Sequence, residues 1–458
     1  MNKREFLAAG GAVPLVLAGC GSGTGSAPTR LVNASVGYPT AMGFMDESKQ
    51  ITTGITYGNA SSYFNIEAGT VHLTLTTTVG GAETSATAAQ LRTVNKDQRY
   101  SLVAYGILDE LRLALVAESN TAPDAGTANV NVLNTSADIG PVDVYLSTTS
   151  SLAVSTLIAS NLAASSSSPA QSQFATDIQP GSYYITVVGA GSVAAGISDV
   201  RFQTPAAITL TALQILTIIL TPGTSGVLAN AILLTQGTQG TAVSYLNTTA
   251  RVRAVTAVNG SSVTVVGADS AGNVVTVLPA SSTPKLSNYF VVATGGAPTV
   301  TVAGTAVPVV MDDPANPGSE ITAALTAGGD YTLMVYLNGA SPKAKLVEDN
   351  NTAPVTSAGV KFRLINLAAD NQGLQLSMKV NNISVAQNIP YATASSYTEV
   401  PNVPQSTNSS AEVDEGASFL LKHDQVIPLA NIFTEIVVSV PTSGPVLDFF
   451  QAASGTSS

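Results

Sequence analysis

One motif recurs along this chain, and its recurrence limits the fold more than any other feature. Arg30-Leu31-Val32-Asn33-Ala34-Ser35 is echoed by Asn131-Val132-Leu133-Asn134-Thr135-Ser136 and by Arg363-Leu364-Ile365-Asn366-Leu367-Ala368. Arg253-Ala254-Val255-Thr256-Ala257 is a weaker copy. Other landmarks keep register with these starts. Tyr57-Gly58-Asn59-Ala60-Ser61-Ser62-Tyr63 returns as Tyr391-Ala392-Thr393-Ala394-Ser395-Ser396-Tyr397. Tyr63-Phe64 precedes Gly69 at the spacing by which Tyr289-Phe290 precedes Gly295, and Phe174 reaches Gly181 one residue later. Tyr100-Ser101-Leu102-Val103-Ala104-Tyr105 matches Tyr331-Thr332-Leu333-Met334-Val335-Tyr336, and Asn-Thr-Ala-Pro closes the first and third copies at Pro123 and Pro354. A period of roughly 100 residues marks whole domains rather than solenoid units, because each copy can close its own core. Four copies are expected, at 29–123, 127–237, 248–354 and 358–452, strung like beads and followed by a disordered tail at 453–458.

Each copy reads as strands and turns. Val71, Leu73 and Leu75 alternate with His72, Thr74 and Thr76, a period of two with one face buried, and Val142 and Val144 alternate with Asp143 and Tyr145. Short β-branched runs separated by Gly, Pro and Asn turns predict an all-β fold of tandem antiparallel β-sandwich, immunoglobulin-like domains. Ala206 to Leu220 looks at first like an apolar helix. It is shorter than the ~20 residues a membrane span requires and carries Thr209, Thr211, Gln214 and Thr217. Aligned with Thr326 to Gly339 of the third copy, it becomes two strands around a tight turn that has lost its glycines.

The N-terminus has a different character. Lys3 and Arg4 precede an uncharged apolar run from Phe6 to Ala18, the pattern of a secretory leader, here 1–19. Leu17-Ala18-Gly19-Cys20 resembles the lipobox of bacterial lipoproteins, and Cys20 is the single cysteine of the chain. The resemblance implies cleavage before Cys20, lipidation of its sulfur and a tether over 20–28. Lys3-Arg4-Glu5-Phe6-Leu7 is similar to the twin-arginine export motif with Lys for the first Arg, so either that route or general secretion fits. Gly21, where Asp would imply retention at the inner membrane, implies an outer-membrane destination in a two-membrane cell. The expected partner is thus a membrane, held through the lipid, with envelope proteins or glycans as further partners.

Beyond the leader, the chain resembles the bacterial exported family catalogued as domain of unknown function 4397, in tandem copies. The likeness rests on the Arg30-to-Ser35 pattern, on Pro141-Val142-Asp143-Val144-Tyr145, on Tyr63 to Gly69 and on Tyr331-Thr332-Leu333. It implies an extracytoplasmic β domain and carries no catalytic or binding residues with it.

Chemistry-bearing patterns are sparse. A net charge of −11 disfavours nucleic acid as a partner, and with 45% hydrophobic against 10% charged residues the chain is expected to fold. The two histidines, His72 and His423, are expected on solvated surface, the second in a turn. No Gly-x-Ser-x-Gly elbow accompanies them, so an enzyme is not expected, with a hydrolase resting on either His as the remote option. No cofactor or metal centre is expected; the acidic run Asp312 to Glu320 reads as a solvated loop rather than a calcium site. Tyr57, Tyr63, Tyr391 and Tyr397 are the aromatics best placed to frame a ligand, although repeated aromatics at strand starts more often pack. The resulting expectation is a non-catalytic, lipid-anchored envelope protein with a structural, adhesion-like or multivalent binding role. The alternative is a lipoprotein that captures a polysaccharide or small molecule for envelope transport.

Overall fold

Alternating aliphatic and small polar residues give strands along the chain, and among the described residues the strands assort into eight sheets. The structure is a computed structural model. It describes residues 25–452 apart from 39–41, 48, 80–81, 107–110, 120, 153–154, 165–171, 194–198, 224–225, 238–240, 317, 355, 357, 371, 405–406, 417, 429–430 and 441–444. The leader, Cys20 and the tail at 453–458 lie outside the described residues.

The sheets face each other in pairs, giving four modules in chain order, each a β-sandwich with its own apolar core. In every module the first sheet is laid out alike. An opening strand (Ser26–Ser35, Ala128–Asn134, Thr249–Thr256 or Val360–Asn366) lies beside a central strand (Tyr100–Gly106, Ile215–Gly223, Asp330–Asn338 or Ile432–Ser439). The central strand then pairs with a closing strand (Arg112–Ala117, Gly226–Thr235, Ser341–Asp349 or Leu447–Ala452). Opening and central strands run parallel, with Arg30 beside Ser101, Asn131 beside Thr217, Arg253 beside Thr332 and Arg363 beside Thr434; the other described pairs are antiparallel, except that Val309–Asp312 runs parallel to the closing strand of module 3. A parallel pair needs a long crossover, and the second sheet of each module supplies it.

The expected beads on a string are corrected by two further cores that belong to no single sandwich. Val32, Ala34, Val103, Tyr105, Ala114 and Val116 of module 1 pack with Leu133, Ile219, Ile232 and Leu234 of module 2. Val255, Ala257, Met334 and Tyr336 of module 3 likewise pack with Ile365, Leu367, Ile436 and Val438 of module 4. The first sheets therefore stand back to back, 1 against 2 and 3 against 4, with both faces covered. A strand buried on both faces cannot alternate apolar with polar and reads as a nearly continuous hydrophobic run. That is the origin of the helix-like segment ending at Leu220. It folds as Ile208–Leu210 and Ile215–Gly223, and Ile215 to Pro222 are all buried. The turn between them places Leu213 at φ 64, where module 3 has Gly328 at φ 77. Leu213 N–H donates to Thr127 O as Gly328 N–H donates to Thr249 O.

Candidate functional site

The repeated signature residues meet at the two seams. Arg30 of the opening strand is fully buried. Its Nε donates to Ser101 Oγ at 3.0 Å, its Nη2 lies 2.8 Å from Glu118 Oε1, and its guanidinium sits 4.7 Å over the ring of Tyr63. Tyr63 O–H donates to Glu118 Oε2 at 2.6 Å, and burial together with that carboxylate holds the phenol well above its usual range. Arg30 Nη1 then crosses the seam to donate to Thr235 O of module 2 at 3.3 Å.

Module 3 repeats the set. Arg253 donates to Thr332 Oγ1 at 2.9 Å and lies 4.9 Å over Tyr289, whose hydroxyl donates to Asp349. Its Nη2 crosses to Thr434 Oγ1 of module 4 at 2.9 Å. In the opposite direction Arg363, stacked 4.7 Å over Tyr397, donates to Thr332 Oγ1 and to Asp349 of module 3. Two arginines thus exchange across the seam and share one acid. Burial pushes Asp349 up, yet Arg363 and Arg253 hold it below the usual carboxylate range. Module 2 carries Asn131 at the arginine position, Phe174 opposite it in register, and Gln236 where modules 1 and 3 have Glu118 and Asp349. The charged set is therefore missing there as a set, and one seam carries one signature arginine, Arg30, where the other carries two, Arg253 and Arg363.

Two other parts of the signature hold each module to itself. Asn33, Asn134 and Asn366 each donate both amide hydrogens to carbonyls at the edge of the second sheet (Tyr38 and Ile55, Gly140 and Leu162, Leu374 and Ile389). Their Oδ1 accepts from the backbone N–H two residues on. Ser61, Ser287 and Ser395 accept from the backbone N–H of Leu31, Ala254 and Leu364 at 2.9–3.0 Å. Asp143 accepts from the backbone N–H groups of Asn161 and Gly191, each at 2.8 Å.

The four aromatics singled out from the sequence all lie at the seams. Tyr57 O–H meets Thr221 Oγ1 of module 2 at 2.6 Å, and Tyr391 O–H donates to Leu337 O of module 3 at 2.6 Å. Tyr63 and Tyr397 lie beneath the arginines. In the sequence these residues stand as repeat landmarks and as aromatics that could frame a ligand, and their pairing is not visible there. The available signal was an arginine recurring inside an apolar strand, in step with a tyrosine and an acid.

Module 4 holds a separate polar cluster. His423 was expected in an exposed turn, but it lies inside strand Ser418–Gln425 and is half-buried, its ring stacked 4.8 Å from that of Phe450. Phe450 in turn stacks on Phe433 at 5.0 Å, which ties the histidine to the module core. Nε2 lies 2.8 Å from Asp448 Oδ2 and 3.2 Å from Glu435 Oε2. Glu435 is fully buried, and neither of its oxygens has a well-formed hydrogen bond. Burial pushes its carboxyl up to about 8, while Asp448 and Glu435 raise His423 to about 10. Glu435 occupies the inward position that Leu102, Ile218 and Leu333 fill in the other modules. The sandwich therefore does not require a carboxylate there. His72, by contrast, is exposed, with Glu47 at 3.9 Å, and Asp313 folds back on Ala315 and Asn316 of its own loop.

The family model of DUF4397, a domain of unknown function, matches residues 27–145. Over that stretch the chain is similar to the DUF4397 family. The match spans module 1 and runs on into module 2 as far as strand Val142–Ser147, so it contains both opening strands of the first seam. Within the DUF4397 stretch, Arg30, Asn33, Ser61, Tyr63 and Glu118 all bond inside the protein. No curated protein matches the chain. Among solved structures, the product complex of a multi-modular glycogen-degrading pneumococcal virulence factor, SpuA, aligns at 11% identity with a TM-score of 0.16. That alignment covers 86% of this chain and 37% of that one. At that score it carries no argument about fold or activity.

Proposed function

We propose that this protein is a non-catalytic, lipid-anchored component of the bacterial cell envelope, whose four sandwiches act as a cemented scaffold. The observation that carries the reading is the use made of the repeated signature. Its arginines, tyrosines, asparagines and serines are consumed in joining strands, sheets and modules. A chain whose recurrent polar residues are turned inward in this way is suited to holding a shape and presenting its outer faces. Leu17-Ala18-Gly19-Cys20 supports attachment through the Cys20 sulfur, and such anchoring is stable when about two or more acyl chains insert.

Protease shaving of intact cells tests the proposal, with a Cys20→Ala variant as control. Loss of the modules from intact cells, together with release of the variant from the membrane fraction, is the expected result. Membrane retention of Cys20→Ala would overturn the anchor. Full protection until the outer membrane is opened would overturn surface presentation and relocate the scaffold to the periplasm.

A further inference from the structure

The polar cluster of module 4 has the composition and spacing of a metal centre. We propose that His423, Glu435 and Asp448 bind one zinc-type divalent cation, which clamps the two sheets of the last module together. The three side chains come from three strands. His423 stands on Ser418–Gln425 of the second sheet, Glu435 on the central strand Ile432–Ser439 and Asp448 on the closing strand Leu447–Ala452 of the first. One ligand atom from each lies within 4.8 Å of the others.

Three observations point to a cation rather than a simple ion pair. The first is Glu435, a fully buried carboxylate aimed into the cluster, whose Oε1 has no hydrogen-bond partner. A group in that state is costly unless something else satisfies it. The second is the donor count. One imidazole ring faces two carboxylates, and its single Nε2 position can serve only one of them well, as the 2.8 Å and 3.2 Å distances show. A divalent cation takes one oxygen from each of the two carboxylates at once and uses the ring nitrogen as its third ligand.

The third observation is geometric. Zinc bonds nitrogen and oxygen at about 2.0–2.1 Å, so neighbouring ligand atoms of a tetrahedral site stand about 3.3–3.4 Å apart. The histidine nitrogen already sits within a few tenths of an ångström of that spacing from Glu435 and about half an ångström short of it from Asp448. Side-chain rotations of Asp448 and His423, both partly exposed, can open the remaining distance. That partial exposure also gives the ion a path in, whereas Glu435 fixes the inner corner of the site. The leucines and isoleucine that occupy the Glu435 position in modules 1 to 3 confine the site to module 4.

The test is zinc titration of the full chain against a competing chromophoric chelator, followed by cobalt substitution and visible absorption. The expected result is one zinc ion per chain, an intense tetrahedral cobalt spectrum, and an upward shift of one unfolding transition with added zinc. Glu435→Leu, which installs the residue found at Leu102 and Leu333, should fold and lose the ion. Asp448→Asn, at the rim, should weaken uptake at least tenfold with the fold intact. Absence of uptake at micromolar free zinc, or uptake unchanged in both variants, would overturn the proposal.

Discussion

The seam between modules 1 and 2 allows a buried ion pair to be tested against a control the chain already contains. In Arg30→Met the side chain keeps much of its volume but leaves Glu118, whose side chain is 2% exposed, without its cation. The Tyr63 and Ser101 hydroxyls still donate to Glu118, yet a buried carboxylate without a counter-charge remains costly. Breaking a buried pair from one side typically costs about 3–5 kcal/mol. For a cooperative unit of about 200 residues, each kcal/mol shifts Tm by about 2–4 °C, so a fall of about 6–20 °C is expected. Glu118→Gln should cost a similar amount by stranding the guanidinium. The double variant Arg30→Met, Glu118→Gln should cost about 1–2 kcal/mol, because it approaches the neutral state that Asn131, Phe174 and Gln236 represent in module 2. The chain has no Trp, so urea unfolding is best followed by circular dichroism and tyrosine fluorescence, with calorimetry resolving the transitions. Single-variant losses below about 1 kcal/mol, or a double variant whose loss equals the sum of the singles, would refute the argument that the pair acts as a unit.

Further outcomes follow from the same contacts. The depressed Asp349 carboxyl contributes stability that is present above its unfolded value of 3.8 and is lost as pH falls through its lower folded value. Acid unfolding of the module 3–4 pair should therefore steepen below pH 3.8, and Asp349→Asn should lower stability at neutral pH while flattening that acid limb. Asn366→Ala removes two donors and one acceptor at a fully buried position, which should cost about 2–4 kcal/mol by chemical denaturation, whereas Gln387→Ala, at an exposed position of strand Ile383–Ile389, should change little. Leu213→Gly should raise stability by about 0.5–1 kcal/mol. The left-handed conformation of an exposed leucine costs about 1–2 kcal/mol, and glycine loses part of that gain through unfolded-chain entropy. No change, or a loss, would mean that Leu213 packs more strongly than its 56% exposure indicates.

Part of the polar chemistry was legible from the chain alone and part was not. The turn at Leu213 could be found because the repeat supplied Gly328 as its counterpart, so an apolar run could be divided into two strands before any packing was known. His423 could not be placed in the same way. Lys422-His423-Asp424-Gln425 is polar and reads as a turn, but cross-strand pairing with Ser409 to Glu412 draws it into a sheet. The histidine then meets Glu435 and Asp448, which are distant in sequence and lie on the other sheet.

What the sequence determined by itself was the repeat, and with it the strand-rich class, the number of copies and the short-range turns. The repeat is read from self-similarity at about 100 residues, whereas strand class and turns depend on residue order within roughly ten positions, where side-chain alternation and backbone preference act directly. The tertiary structure alone decided which faces of the sheets would be covered. Strands such as Ile215–Gly223 are apolar on both faces, which states that two surfaces need burial but not what buries them. The answer is a neighbouring module, with Arg30, Arg253 and Arg363 brought against carbonyls, hydroxyls and one shared acid from across a seam. A charge can be buried only where its partners converge, and that convergence is a property of packed sheets rather than of the order of residues along any one strand.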